Sequence, residues 1–279
     1  MPDAELHPEI RRLIELALAE DIGAGDLTTQ TCVPDTIKAS GAYVARQPLI
    51  VAGTFLLEPI FSLRGGVERL DILAADGRSV QPGELIARVE GRARTLLECE
   101  RVSLNFLQRL SGIATLARRY VDAVAHTRCQ VLDTRKTTPG LRRLEKMAAA
   151  AGGVRNHRLG LWDAILIKNN HITLAGGVRQ ALTRALQSRL PVEIEVRTEQ
   201  ELEEALALGA RHLLLDNLTP EQARSWIARI AGRAVVELSG NITLENIREY
   251  AEAGPDFISC GAITHSAPAV DISFRIQAL

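Results

Sequence analysis

Aromatic residues make up only 4% of the 279-residue chain, and lysine and cysteine occur four times each. So few aromatic rings argue against the base-stacking platforms on which nucleic acids lie, and no nucleic-acid partner is expected. Cys32, Cys99, Cys129 and Cys260 are far apart and form no CxxC pair. A zinc site or disulfide framework is therefore not expected, and a reducing, cytoplasmic setting is. No apolar run approaches the roughly 20 residues that cross a bilayer, and the first residues mix charge with apolar positions. Neither a membrane span nor a secretory signal is expected. What the chain does have is 46% hydrophobic and 24% charged residues, the make-up of a well-buried globular protein. Its length suits one large domain or two unequal ones.

The net charge is only -1, but the charge is segregated. Nine Arg and Lys stand against three acids between Arg128 and Lys168, and eight acids against two arginines between Glu193 and Glu221. A cationic block in a neutral chain points to a polyanionic small molecule, because nucleic-acid binding usually raises the charge of a whole domain. The solvated helix face competes with this reading for Arg142, Arg143 and Lys146, and it accounts for Glu199, Glu201, Glu203 and Glu204.

The pattern changes near the middle of the chain. A helical stripe covers residues 8–20, and the two glycines of Asp21–Thr29 break it. Strand-like runs follow at 42–46, 49–52, 67–73 and 84–89, with turns at Asp76-Gly77 and Gln81-Pro82-Gly83. Helical spacing returns from Thr95 to Val124, interrupted at Ser111-Gly112. After that, short β-branched runs recur at 130–133, 164–168, 192–196, 212–216, 234–238 and 257–259. Amphipathic segments separate the later ones: Thr198–Leu208, Thr219–Ile230 and Thr243–Ala253. Each opens on a threonine suited to cap a helix, and Gly209 and Gly254 close two of them. Such alternation predicts parallel βαβ units. Six strands fall short of the eight of a full barrel, and partial barrel closure and an open doubly wound sheet both fit.

Polar residues follow five of the six strands: Arg135-Lys136, Lys168-Asn-Asn-His171, Asp216-Asn217, Ser239-Gly240-Asn241 and Cys260-Gly261-Ala262. The carboxyl ends of barrel strands form the active face, so these groups should converge. Wet strand ends explain serine, asparagine and glycine, but they explain lysine poorly. In a chain with 33 Arg and Lys, only four are lysine, and two of those, Lys136 and Lys168, stand at predicted strand ends. A lysine is a point charge and an arginine a planar fork, so a mixed cluster grips carboxylate and phosphate differently.

The run Val131-Leu-Asp-Thr-Arg-Lys-Thr-Thr-Pro-Gly-Leu141 resembles quinolinate phosphoribosyltransferases, and so do Gly152–Leu161, Ile165–Ile172 and Val192–Val196. The likeness extends to Leu215–Asn217, Glu237–Asn241 and Ile258–Ile263, and upstream to Glu20–Thr29 and Glu100–Gln108, covering nearly the whole chain in order. It implies an α/β fold in two parts. Residues 1–111 would form an N-terminal α/β sandwich, with 266–279 packing back onto it. Residues 112–265 would form a C-terminal incomplete α/β barrel of fewer than eight strands. The implied partners are quinolinate and phosphoribosyl pyrophosphate, with magnesium (Mg2+) as cofactor and nicotinate mononucleotide, pyrophosphate and carbon dioxide as products. The resemblance also implies a homodimer with shared active sites, and it leaves open whether dimers build hexamers.

Residue by residue, the resemblance makes Arg135, Lys136, His157, Arg158 and Lys168 a cationic pocket, joined by Thr134 and by Arg101 from the partner subunit. Burying two carboxylates, a phosphate and a pyrophosphate needs such pairing. Glu195 and Asp216 match an acidic pair beside the ribose and its magnesium, acting directly or through water and substrate. Ser239, Gly240 and Asn241, with Cys260, Gly261 and Ala262, match phosphate loops. Lys136, Lys168, Glu195 and Asp216 are the residues implied in the chemistry. Strand parity alone does not separate Glu193 from Glu195. Thr138 and Cys260 depart from common family residues at uncharged positions, which touches packing and not chemistry.

Three rival readings stand beside this one: a paralogue of the same fold with another acceptor, a Schiff-base barrel enzyme using Lys168, and a biotinyl or lipoyl carrier hairpin around Asp76–Ile86. The carrier needs a modifiable lysine in its turn, and residues 39–135 contain none.

Overall fold

A computed structural model describes residues 6–279. In chain order the elements are α1 (Pro8–Ile22), α2 (Leu27–Cys32), β1 (Lys38–Ala45), β2 (Leu49–Ile50), a short turn of 3-10 helix (Thr54–Leu56), α3 (Leu57–Ser62), β3 (Arg69–Ile72), β4 (Ser79–Val80) and β5 (Leu85–Arg92). There follow α4 (Ala93–Val124), β6 (Gln130–Leu132), α5 (Arg142–Ala151), β7 (Ile165–Ile167), α6 (Asn169–Ala175), α7 (Val178–Ala185), β8 (Val192–Val196) and α8 (Glu199–Ala207). The chain ends with β9 (His212–Asp216), α9 (Pro220–Ile230), β10 (Val235–Ser239), α10 (Ile247–Glu252), β11 (Phe257–Ser259), α11 (Ala262–His265) and β12 (Ile272–Ala278). Among the described residues no helix is long and apolar enough to cross a membrane.

The chain forms two compact units, one of residues 1–117, 138–153 and 267–279, the other of 118–137 and 154–266. The first is built on an antiparallel sheet in the order β12-β1-β5-β3. The C-terminal segment therefore closes the sheet of the first unit, with Ile272 opposite Ala45. The predicted helix break at Ser111-Gly112 does not occur, because both residues serve packing. Ser111 Oγ accepts the Ala52 N–H at 3.0 Å and donates to the Ala52 carbonyl at 3.2 Å, while a Cβ on Gly112 would collide with the Pro268 carbonyl.

Residues 138–153 also belong to this unit. Glu145 on α5 is fully buried and accepts from Arg109 Nη2 at 2.7 Å and from Thr138 Oγ1 at 2.8 Å. Nothing in local patterning announces that long-range pair.

The second unit is a six-stranded, all-parallel sheet in the order β6-β11-β10-β9-β8-β7. It has fewer than eight strands, as expected, and β6 and β7 lie at its two ends without a ladder between them. Side chains alternate along each strand. Ile194, Val196, Leu213, Leu215, Val236 and Leu238 pack into the apolar core, while Glu193, Glu195, His212, Asp216, Glu237 and Ser239 have the opposite parity. Thr198 and Thr219 cap α8 and α9 by accepting the amides of Glu201 and Gln222, each at 3.2 Å. The third expected cap differs. Asn246 Oδ1 accepts the Thr243 amide at 2.8 Å, which makes residues 243–246 a turn, and α10 starts only at Ile247.

Candidate active site

A cleft of about 710 Å3 opens in the second unit beyond the carboxyl ends of its strands. Thr134, Arg135 and Lys136 enter it after β6, Lys168 after β7 and Asp216 and Asn217 at the end of β9. Ser239, Gly240 and Asn241 enter at the end of β10, and Gly261, Ala262 and His265 after β11. His157 and Arg158 come from the irregular stretch ahead of β7. Most of the residues singled out in the sequence thus share one cleft.

Three do not line it. Glu195 is 6% exposed and reaches the cleft through Lys168, whose Nζ donates to its Oε2 at 2.9 Å. Cys260 is buried behind Gly261 and Ala262, and burial pushes its thiol pKa up. Arg101 stands exposed on α4 in the first unit and makes no hydrogen bond or ion pair with the described residues.

The cationic wall is held by its backbone. Arg155 N donates to the Val131 carbonyl at 2.9 Å and His157 N to Asp133 Oδ1 at 2.8 Å, which aligns the stretch beside β6. Arg158 N donates to His157 Nδ1 at 2.7 Å, and Arg158 Nη1 to the Ala164 carbonyl at 2.8 Å. Arg158 Nε is buried with no hydrogen-bond partner among the described residues. Burial and the neighbouring Arg135 guanidinium push the Arg158 pKa down, against the pull of Glu193 and Asp163. Two guanidinium forks gathered against their own repulsion, one with a buried donor still unsatisfied, make a receptor for an anion, above all a carboxylate.

The opposite wall offers backbone amides and oxygens. Asp216 Oδ1 accepts from Ser239 Oγ at 2.7 Å and its Oδ2 from Asn217 Nδ2 at 2.6 Å. Asn217, Gly240 and Asn241 all have positive φ, at 58°, 93° and 52°. A Cβ on Gly240 would strike the Asn217 side-chain amide and backbone nitrogen. On Gly261 it would press on the Lys136 stem and the His265 ring. Thr264 Oγ1 donates to the Lys136 carbonyl at 2.8 Å and so fixes the backbone beneath that ammonium. Left-handed turns of this kind form concave nests of amides suited to phosphate.

The sequence reading missed His265, Glu237 and Ser259, which also line the cleft, as does Asn217, which it named only among the polar strand ends. Strand parity could have found two of them, since Glu237 shares a face with Ser239, and Ser259 ends the next strand in the sheet. Glu237 belongs to a buried cluster. His157 Nε2 lies 3.2 Å from Glu193 Oε2 and 3.6 Å from Glu237 Oε2, and His212 Nε2 lies 3.6 Å from Glu193 Oε1. Burial, and then the charge of Glu193, push the Glu237 pKa up to about 8. Burial also acts to raise Glu193, but the His157 hydrogen bond and the His212 and His157 charges outweigh it and hold Glu193 below the usual carboxylate range.

Residues 26–111 match the N-terminal domain model of quinolinate phosphoribosyl transferase, and residues 113–275 match the C-terminal domain model. The probable nicotinate-nucleotide pyrophosphorylase [carboxylating] of Bacillus subtilis is 40% identical over 97% of this chain and 94% of its own length. The chloroplastic nicotinate-nucleotide pyrophosphorylase [carboxylating] of Oryza sativa is 39% identical over 97% of this chain and 79% of its length. The crystal structure of NadC from Streptococcus pyogenes superposes with a TM-score of 0.93 at 38% identity, covering 99% of this chain and all of that one. With both domain models matched in order and relatives this similar along nearly its full length, the chain belongs to the quinolinate phosphoribosyltransferase family.

Proposed function

We propose that the chain transfers phosphoribosyl from phosphoribosyl pyrophosphate to the ring nitrogen of quinolinate and releases carbon dioxide, giving nicotinate mononucleotide and pyrophosphate for NAD synthesis. The observation that carries this is the cleft's two-sided chemistry. Arg135, Arg158, Lys136 and Lys168 face a wall of positive-φ loops and carboxylates in one cavity. Quinolinate brings two carboxylates, suited to the arginine forks. The co-substrate brings a phosphate and a pyrophosphate, suited to the loops and the lysine point charges.

In the first step the C1′–O bond to pyrophosphate breaks, the leaving group takes the electron pair, and cationic character grows on the ribose. Lys136 and Lys168 neutralise the departing charge, and Asp216 and Glu195 steady the ribose side. The pyridine nitrogen then bonds to C1′ with inversion. The pyridinium withdraws electrons, the bond to the adjacent carboxylate breaks, carbon dioxide leaves, and the ring carbon takes up a proton. No nucleophilic side chain is required, and Lys168, ion-paired with Glu195, serves as a cation.

Magnesium suits the donor set. Each Asp216 oxygen accepts one hydrogen bond from Ser239 or Asn217 and keeps a further lone pair, which fits a hard cation held through water or substrate. Asp216 and Glu195 would hold it, and it would neutralise pyrophosphate charge. Arg101, exposed and without a partner among the described residues, is the residue we assign to the site of a second subunit in a homodimer. Four free cysteines, three of them buried, support a reducing cytoplasmic setting.

The test is pyridine-nucleotide formation from phosphoribosyl pyrophosphate with quinolinate or nicotinate as acceptor. Turnover of quinolinate with stoichiometric carbon dioxide is the expected outcome. Use of nicotinate in its place would overturn the two-carboxylate reading. Borohydride trapping of an adduct on Lys168 would favour Schiff-base chemistry instead.

A further inference from the structure

The stretch bearing His157 and Arg158 occupies the gap between the two end strands of an unclosed sheet. A bridge from Leu132 to Arg155 joins it to β6, and no such bridge joins it to β7. On its far side Arg158 Nη1 donates to the Ala164 carbonyl just ahead of β7, and the His157 ring reaches further, to β8 and β10. Its Nε2 meets Glu193 on β8 at 3.2 Å and Glu237 on β10 at 3.6 Å, while its Nδ1 accepts the Arg158 amide at 2.7 Å. Ring and main chain are thus linked in one path: Glu237 and Glu193, then imidazole, then the Arg158 backbone, then the guanidinium that waits for an anion.

The carboxylates at the root of this path are costly to bury. Glu237 is fully buried and Glu193 is 5% exposed, and neither Glu237 oxygen nor Glu193 Oε1 meets the geometry of a hydrogen bond with any of the described residues. A core with no task here would be more stable with leucine at these positions. A second cavity of about 280 Å3 touches the same four side chains, Glu193, Glu237, His157 and His212, from the other direction. Of these, His157 and Glu237 also line the first cleft, so they lie in the partition between the two spaces.

We propose that Glu237, together with Glu193, is a positioning residue that ties the His157 imidazole across the open sheet and thereby aims Arg158 at the carboxylates of the acceptor. The pair touches no substrate in this account. It acts on the acceptor half of the cleft: the Ser239–Asn241 loop follows Glu237 on β10 but is held by its own contacts, Asn241 Nδ2 to Asn217 and Asn246 Nδ2 to the Asn241 carbonyl. The raised Glu237 pKa agrees with the geometry, since a carboxyl that keeps its proton can donate towards Glu193 while Glu193 accepts from His157. This inference rests on the proposed function, since it needs a carboxylate acceptor.

The test is a double-mutant cycle on the full chain with Glu237→Ala, His157→Ala and both together, reading KM for each substrate separately. Losing the tie should raise the quinolinate KM by about 10-fold, the scale of one hydrogen bond to a charged group, and leave the phosphoribosyl pyrophosphate KM within about twofold. In the His157→Ala background, Glu237→Ala should add nothing. Equal multiplication in both backgrounds, or a parallel rise in both KM values, would mean Glu237 only supports the fold and would overturn the inference. If Glu237→Ala does not fold, Glu237→Gln keeps shape and a donor. It should show a smaller rise confined to quinolinate, and a rise shared by both substrates counts against the tie. Wild-type protein that turns over no quinolinate sinks the functional reading itself, a result separate from an additive cycle in an active enzyme.

Discussion

Asp216 and Ser239 end two neighbouring parallel strands exactly in register, and the serine hydroxyl donates to Asp216 Oδ1 at 2.7 Å. The pairing aims a carboxylate along the strand axis into the cleft and leaves it partly exposed. Ser239→Ala removes the donor without changing the strand. A hydrogen bond to a charged group is worth about 1.5–3 kcal/mol, so the phosphoribosyl pyrophosphate KM should rise roughly tenfold or more. The quinolinate KM should stay put. Initial-rate kinetics with each substrate varied in turn check this, and an effect confined to quinolinate would misplace Asp216.

Gly240 follows that serine with φ at 93°, and its missing side chain faces Asn217. An alanine there combines an unfavourable backbone with a collision against a neighbouring main chain. Gly240→Ala should cost about 1–3 kcal/mol of stability and weaken phosphoribosyl pyrophosphate binding more than it weakens quinolinate binding. Thermal melts with and without each substrate separate the two effects. An unchanged melt with unchanged shifts would remove the loop from the site.

How far these features could be read in advance differs residue by residue. Lys136 and Lys168 stood out because lysine is rare here and both fall at strand ends, and both line the cleft. The six strands showed in their β-branched runs, since burial on one side and helix packing on the other leave little freedom in composition. Glu237 did not stand out. A lone carboxylate inside Val235-Val236-Glu237-Leu238 has no local partner, and its role depends on His157 arriving from a distant segment. Gly112 read as a helix breaker for a similar reason, because the Pro268 carbonyl that requires it comes from the far end of the chain. Local chemistry marks positions, and long-range packing decides what they do.

The pH dependence of stability tests the Glu237 assignment. Its pKa is raised from 4.5 to about 8, so between those values the folded chain holds a proton that the unfolded chain has released. Stability must then fall as pH rises through this window and level off above it. Glu237→Gln cannot ionise and lacks this slope. Its melting temperature should gain on the wild type as pH goes from 5 to 8, with the gap constant above. A gap independent of pH would mean that Glu237 ionises in the folded protein as it does in the unfolded chain.

Arg101 offers the sharpest test of a shared site. It lies in the first unit, exposed, with no partner among the described residues, whereas Lys136 lies in the cleft of the second. If each cleft takes Arg101 from its twin, Arg101→Ala and Lys136→Ala homodimers are each inactive for a different reason. A mixed dimer then contains one cleft lacking both groups and one lacking neither. Random exchange makes half the dimers mixed, so activity should recover to about a quarter of the wild-type level. If instead Arg101 serves its own chain, every cleft in the mixture still lacks one group and nothing recovers. Subunit exchange confirmed by differently tagged chains, with activity still absent, would therefore place Arg101 outside the partner's cleft.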